Sequence, residues 1–283
     1  MPSDVIQWFP GHMAKTRRMI ADNLKNVDIV IEILDARIPQ SSRNPEILKL
    51  TKDKPSLILM NKCSLADPVA TKAWVEKYSG ENTVCIPTDC ITGEGLSKLA
   101  PAIQNILSDK LERYESKGMT GRKLKAMVLG IPNVGKSSLI NKISKSKKAK
   151  VENRPGVTLD KQWVSTNIGI DLLDMPGVLW PKFEDRTVGE NLALTGAVKD
   201  SILDIESLGT ALSARLAELY PELLCARYKL AQIPEGDGYD IMCAIGKRRG
   251  FLISGGEIDT ERTANMLLDE FRAGKIGRIT LDK

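Results

Sequence analysis

At 283 residues the chain is long enough for two domains, since it can bury roughly three quarters of its extended surface and exceeds the usual domain of about 100 to 150 residues. Hydrophobic residues make up 42% and charged residues 27%, with 22 Gly and 14 Pro, which excludes intrinsically disordered, collagen-like and coiled-coil classes. The net charge of +5 is modest, but Lys110 to Arg154 alone holds 13 basic against 3 acidic residues, so the rest is net acidic and this stretch is either a solvated helix and loop or a phosphate-facing surface.

Met13 to Val27 opens the chain with Met13, Ile20, Leu24 and Val27 set against Lys15, Arg17, Arg18 and Lys25, the pattern of a surface helix with a basic outer face. Short aliphatic runs follow at Asp28–Leu34, Ser56–Met60, Thr83–Ile86, Ala126–Leu129 and Ile170–Leu173, and a helical segment follows each of the first four. That rhythm predicts a mostly parallel sheet with helices on both faces. Leu96–Lys117 reads as one long helix. Beyond residues 181 to 190 the character changes: Ser201–Tyr220 and Asp259–Arg272 are helical with no strand between them. The division is an α/β domain over 1–180 and a helical domain over 181–283.

Five scattered cysteines, Cys63, Cys85, Cys90, Cys225 and Cys243, and a single histidine, His12, offer no metal-ligand spacing, so neither a zinc site nor a disulfide framework is predicted and a reducing compartment is the default. The opening MPSDVIQWFPGHM has neither signal nor transit character, and no 18-residue apolar run is present. The expected place is the cytoplasm.

Gly130-Ile131-Pro132-Asn133-Val134-Gly135-Lys136-Ser137 matches the eight-residue phosphate loop, between a strand and a helix as that loop requires. Glycines let successive N–H groups curl around a phosphate, and Lys136 and the helix N-terminus meet the β- and γ-phosphates. The candidate contacts are Asn133, Val134, Gly135, Lys136, Ser137 and Ser138, with the Ser137 hydroxyl placed for Mg²⁺. Downstream, Arg154-Pro155-Gly156-Val157-Thr158 and Asp174-Met175-Pro176-Gly177 would each be a plain turn in isolation. In this order and spacing they make a nucleotide switch: Thr158 is a second magnesium ligand, Asp174 holds the metal through water, and the Gly177 N–H meets the γ-phosphate.

The base-reading element lies before the phosphate loop, at Asn61-Lys62-Cys63-Ser64, with Thr88-Asp89-Cys90 after the next strand. In a parallel sheet such loops share one edge whatever their chain order, so the sequence implies a circular permutation. That order resembles the circularly permuted GTPases. QWFPGHMAK, DARIPQSSRNP, DMPGVLWPKFED and LALTGAVKD further resemble the ribosome biogenesis GTPase A family of bacteria, with its mitochondrial relatives, over essentially the whole chain. The resemblance implies an α/β fold, a circularly permuted P-loop GTPase domain with a mostly parallel sheet, then a small all-helical C-terminal domain. It also implies a GTP hydrolase that joins precursors of the large ribosomal subunit through rRNA and ribosomal proteins and leaves after hydrolysis. Apart from the resemblance, the chain is expected to be monomeric when free and away from membranes. The alternative is a nucleotide-gated ribosome- or RNA-binding protein with negligible or relaxed GTP/ATP turnover.

Three positions modify that expectation. The family pattern is Asn-Lys-x-Asp, and Ser64 stands where the carboxylate accepts from guanine N1–H and the exocyclic amine. Its loss costs roughly 2 to 4 kcal/mol of base discrimination unless a group such as Asp67 substitutes. Val178 occupies the position of the water-orienting glutamine of many small GTPases. The resemblance gives that task to His12, which could equally anchor the N-terminal helix. It also implies K⁺ beside the phosphates on Asn133, a residue that could instead only shape its turn. Asp35-Ala36-Arg37 reads as a buried salt bridge at a strand end, and Trp8 and Phe9 as base-stacking or core aromatics. Lys247, Arg248, Arg249, Lys275 and Arg278 offer a positive face, which Trp180-Pro181-Lys182 joins to the second switch.

Overall fold

The β-branched and aliphatic runs form the sheet because each can bury both faces, and Ile29–Asp35 is buried at every position. The structure is a computed structural model and describes residues 10–119, 121–144, 162–180, 183 and 185–282, with side chains from residue 14 onward. The chain runs α1 (Pro10–Leu24), β1 (Ile29–Asp35), α2 (Pro45–Thr51), β2 (Ser56–Asn61), α3 (Pro68–Tyr78), β3 (Thr83–Pro87), α4 (Leu99–Ile106) and α5 (Ser108–Ser116). It continues through β4 (Leu124–Gly130), α6 (Lys136–Ile143), β5 (Gln162–Ser165) and β6 (Ile170–Asp174). Helices α7 (Arg186–Leu194), α8 (Ile205–Leu219), α9 (Pro221–Tyr228), α10 (Gly238–Arg249) and α11 (Thr260–Arg272) follow.

The sheet order is β3-β2-β1-β4-β6-β5, parallel throughout except for β5, which pairs antiparallel with β6. Strand β5 is not foreshadowed by the sequence pattern, because its four residues are too short to carry a period. Val30, Met127, Leu129 and Leu173 pack one face against Ile20 of α1 and Ile47 of α2. Ile31, Ile33 and Leu57 pack the other against Leu99 and Ile103 of α4 and Leu139 of α6, in an apolar core that continues into Leu192, Leu212 and Leu267 of the helical part. Alternate strand residues therefore bind helices on both sides, as the βα rhythm predicts.

Helix starts follow local chemistry. Asn44 caps α2 and Asp67 caps α3, each followed by proline at the first helical position, where the missing N–H costs nothing. Leu96–Lys117 is not one helix. Pro101 is tolerated only in a first turn, so α4 starts at Leu99 after a separate 3₁₀ turn at Leu96–Lys98. At Leu107, buried against the core, the backbone leaves helical geometry and α5 starts anew with no buried residue. The last residues return to the sheet edge. Ile279 N–H donates to Leu65 O at 2.9 Å, Leu281 N–H to Arg37 O at 2.7 Å, and the Trp74 indole to Asp282 O at 2.9 Å.

Candidate nucleotide site

The parallel strands bring their C-terminal ends to one edge, where α/β sheets bind ligands. Register places Asp35 beside Asn61, Met60 beside Pro87, Ile33 beside Gly130 and Val128 beside Asp174. Sheet order thus puts the end of β1 between the base loop after β2 and the phosphate loop after β4.

On the base side, Asn61 is a strut. Its Nδ2 donates to Val134 O of the phosphate loop at 2.6 Å, and its Oδ1 accepts from Cys90 N–H at 3.0 Å. Lys62, in a left-handed conformation, reaches Asn133 O at 2.8 Å and Asp35 Oδ2 at 2.9 Å. Asp35 also takes Arg37 Nη2 at 2.7 Å. Burial alone would raise its pKa, but Arg37 and Lys62 hold the carboxyl well below the ordinary range. The salt bridge foreseen at Asp35 and Arg37 is present, with Lys62 as a third member that the sequence did not reveal. Thr88 is fully buried and acts through its backbone: its N–H donates to Met60 O at 2.9 Å and its O accepts from Cys63 N–H at 3.1 Å. Ser64 donates its hydroxyl to Asp89.

Asp67 is not free to replace the missing carboxylate. Its Oδ1 accepts from Val69 N–H at 2.8 Å and Ala70 N–H at 3.2 Å, and its Oδ2 accepts from the Tyr220 hydroxyl at 3.0 Å.

On the phosphate side, Gly135 has φ +106° and precedes the first turn of α6. A β-carbon there would collide with the Asn61 amide, so the strut itself demands glycine. Lys136 is buried and folds back to donate to Gly130 O at 3.0 Å and Ile131 O at 2.7 Å. Burial lowers its pKa to about 8 against the pull of Asp174. Asp174 is fully buried, and its carboxylate oxygens make no well-formed hydrogen bond among the described residues. Burial raises its pKa, while Lys136, followed by the nearby Gln162 side chain and Met175 N–H, opposes the shift. Ser137 and Ser138 are half-buried at the start of α6. A buried carboxylate and a helix-start serine fit a magnesium ion, which in such a site takes hydroxyls, water and nucleotide oxygens. Among the described residues no group of three or more His, Cys, Asp or Glu could hold a metal, a set that this donor chemistry does not use.

The second-switch turn lies on the phosphate loop. A β-carbon on Gly177 would stand 3.0 Å from Lys136 Nζ and from Pro132, and Val178 N–H donates to Gly130 O at 3.3 Å. Val178 packs in one apolar cluster with Ile20 of α1, the helix whose first turn contains His12. The side chain of His12, together with Thr158, Trp8, Phe9 and Lys182, lies outside the described residues.

Asn133 has φ 57°, and its Nδ2 donates to Gly196 O at 2.6 Å in the LALTGAVKD segment. Arg272 grips the same segment through Leu194 O and Ala193 O, both at 3.0 Å, and pairs with Asp200 at 2.7 Å. All five basic residues expected to form a positive face are exposed, and two of them also have partners within the protein. Arg278 donates to Ala66 O and Cys63 O at 2.8 and 2.9 Å, and Arg249 pairs with Glu270 at 3.2 Å. Lys247, Arg248 and Lys275 are exposed. No helix among the described residues is long and apolar enough to cross a membrane.

Residues 125–220 match the family described as 50S ribosome-binding GTPase. The match starts at β4, where an unpermuted chain would begin, and leaves out the base loops, which here come first. The ribosome biogenesis GTPase A of Priestia megaterium is 46% identical over 98% of this chain and 96% of its own. The mitochondrial ribosome-associated GTPase 1 of Mus musculus is 33% identical over 99% and 91%. The GDP-bound structure of T. maritima YlqF superposes with a TM-score of 0.64 at 26% identity, covering 94% of this chain and 99% of that one. Sheet order, permuted loops and near-full-length identity agree, and the chain belongs to the ribosome biogenesis GTPase A family of circularly permuted GTPases.

Proposed function

We propose that this protein hydrolyses GTP while bound to precursors of the large ribosomal subunit, contacts both rRNA and ribosomal proteins there, and leaves once GDP has formed. It works in the cytoplasm as a monomer when free. Residues 1–180 read and hydrolyse the nucleotide, and residues 181–283 carry the outcome to the subunit. The observation that carries this reading is the bond from Asn133 of the phosphate loop to Gly196 O, which ties the nucleotide edge to the segment that Arg272 grips. A change at the phosphates is thereby passed to the helices that bear Lys247, Arg248 and Lys275.

Asn61, Lys62, Ser64, Thr88, Asp89 and Cys90 form the base side of the site. Asn133, Val134, Gly135, Lys136, Ser137, Ser138 and Gly177 form the phosphate side. Ser137, Thr158 and Asp174 would hold Mg²⁺, and Asn133 would hold K⁺ through the amide oxygen that its bond to Gly196 leaves over. When bound, these cations offset charge that develops on the phosphates. His12 orients the attacking water, a task that Val178 cannot perform because it has no hydrogen-bonding group. The shared packing of Val178 and α1 supports this, since an RNA contact that shifts α1 moves both His12 and the second switch.

Phosphate release is the test, measured with and without large subunits. Subunits should accelerate it, and His12→Ala should lower the stimulated rate by roughly 10- to 1,000-fold without weakening GTP binding. Replacing K⁺ by Na⁺ at constant ionic strength should slow the wild type. Full stimulated turnover in His12→Ala would remove the histidine from the mechanism, and equal rates in the two salts would remove K⁺.

A further inference from the structure

A carboxylate is missing from the end of the Asn-Lys element, yet one stands beside the vacated position. The Ser64 hydroxyl donates to Asp89 Oδ2, so the residue that replaces the carboxylate is bonded to a carboxylate from the neighbouring loop. Two further bonds keep these loops together: Cys63 N–H to Thr88 O at 3.1 Å, and Cys90 N–H to Asn61 Oδ1 at 3.0 Å. Asp89 Oδ1 is saturated by Ile91 N–H at 2.8 Å and Thr92 N–H at 3.0 Å, which fixes the orientation of the carboxylate. Among the described residues Oδ2 receives only the Ser64 proton, and it keeps a lone pair. Ser64 Oγ, having given its proton away, is left with lone pairs of its own.

Three other acids lie near this edge and each has a partner of its own: Asp35 is spent on Arg37 and Lys62, Asp67 on the start of α3 and on Tyr220, and Glu94 lies against the Cys63 thiol. Guanine presents two adjacent donors, N1–H and the exocyclic amine, and these need two adjacent acceptors of which one is charged. Ser64 Oγ and Asp89 Oδ2 are such a pair.

We infer that Ser64 and Asp89 together read the guanine edge, with the discriminating negative charge moved from the Asn-Lys-x-Asp position to the Thr-Asp-Cys loop. Asp89 is then the specificity-determining residue of this site, and Ser64 is its partner rather than a gap in the motif. The inference rests on the reading of the site as a GTP site. It reverses the simplest expectation for a repair: Ser64→Asp alone sets two carboxylates within hydrogen-bonding distance and weakens GDP binding instead of strengthening it.

The test is calorimetric titration of GDP, XDP and ADP into the full-length protein. Asp89→Asn is isosteric and keeps an oxygen for the Ile91 and Thr92 N–H groups, so the loop is preserved. Its amide puts a donor where the base edge meets an acceptor, which suits the 2-oxo group of xanthine and opposes the 2-amino group of guanine. The GDP to XDP affinity ratio should fall by roughly 100-fold or more in Asp89→Asn. The double exchange Ser64→Asp with Asp89→Ser should bring the ratio back to within about tenfold of the wild type, because the charged pair is rebuilt in the opposite sense. A ratio unchanged in Asp89→Asn, with the wild type preferring GDP over ADP, overturns this inference and leaves the GTP site standing. A wild type without preference for GDP over ADP overturns the GTP reading itself. Failure of the double exchange to exceed Ser64→Asp in GDP affinity also counts against the pair.

Discussion

The two halves of the nucleotide edge are built differently, although they share five parallel strand ends. On the base side the principal polar groups are paired within the protein: Asn61 with Val134 and Cys90, Lys62 with Asn133 and Asp35, Ser64 with Asp89. On the phosphate side Lys136 is turned onto carbonyls of its own loop, and the buried Asp174 carboxylate makes no well-formed hydrogen bond among the described residues. The contrast follows from what each side meets. A base is planar and reads a fixed set of donors and acceptors, so its frame can be set when the chain folds. A phosphate arrives with its metal and changes in number on hydrolysis, so the groups that sense it must be left partly unsatisfied.

The strongest way to break this contrast is at Lys136 and Asp174. Lys136→Ala should reduce single-turnover hydrolysis by roughly 100- to 1,000-fold, since it removes the cation at the β- and γ-phosphates. Its thermal midpoint without nucleotide should change little, because the loss of a buried cation offsets the loss of its bonds to Gly130 O and Ile131 O. Asp174→Asn should behave alike in stability, as it removes a desolvated charge. A marked loss of stability in either protein would show that the phosphate side is as much a part of the folded frame as the base side.

Asn61→Ala probes the opposite half. It leaves Val134 O and Cys90 N–H without their partner, which costs about 2 to 4 kcal/mol of folding stability for two buried groups. Urea unfolding without nucleotide measures it, and a loss below about 0.5 kcal/mol would deny Asn61 its role as a strut. Asn133→Ala should be milder, about 1 kcal/mol for one hydrogen bond. Its diagnostic effect is that GDP no longer alters hydrogen exchange in α7 and α11. Persisting nucleotide-dependent protection there would place the coupling elsewhere.

Much of this edge was legible in the sequence because its chemistry is local. The phosphate loop is a contiguous word, and the strands are runs whose composition allows burial on both faces. What was not legible depends on chain segments that meet only after folding. Lys62 joins Asp35 across 27 residues, Asn133 joins Gly196 across 63, and the Arg278 guanidinium reaches Cys63 across 215. Arg278 is exposed, as its charge suggests, but its carbonyl acceptors are not visible in the sequence. Ser64 looked like a defect because the Asn-Lys element shows the serine but not the carboxylate brought to it by the loop after β3. The start of α4 at Leu99 rather than Leu96 is a different case, since Pro101 was in plain view and sets where that helix can begin.

The smallest effect expected is also the one most specific to the phosphate side. Unfolded lysine titrates near 10.5, while burial brings Lys136 down to about 8. Between those values the unfolded state holds more protons than the nucleotide-free folded state, so this group makes stability rise with pH across that interval. Cys63, Cys85 and Cys90 act in the opposite direction above pH 9, since burial pushes their thiols from 9.0 up to about 11, 12 and 12. Phosphate binding restores an anionic partner and draws the proton back, so GDP should take up about half a proton at pH 8 and approach one at pH 9. Titration calorimetry in two buffers of different ionisation enthalpy measures that uptake directly, and the heats should diverge as pH rises. Equal heats in both buffers at pH 9 would mean that Lys136 stays charged in the empty site and that its turn onto Gly130 O and Ile131 O already satisfies it.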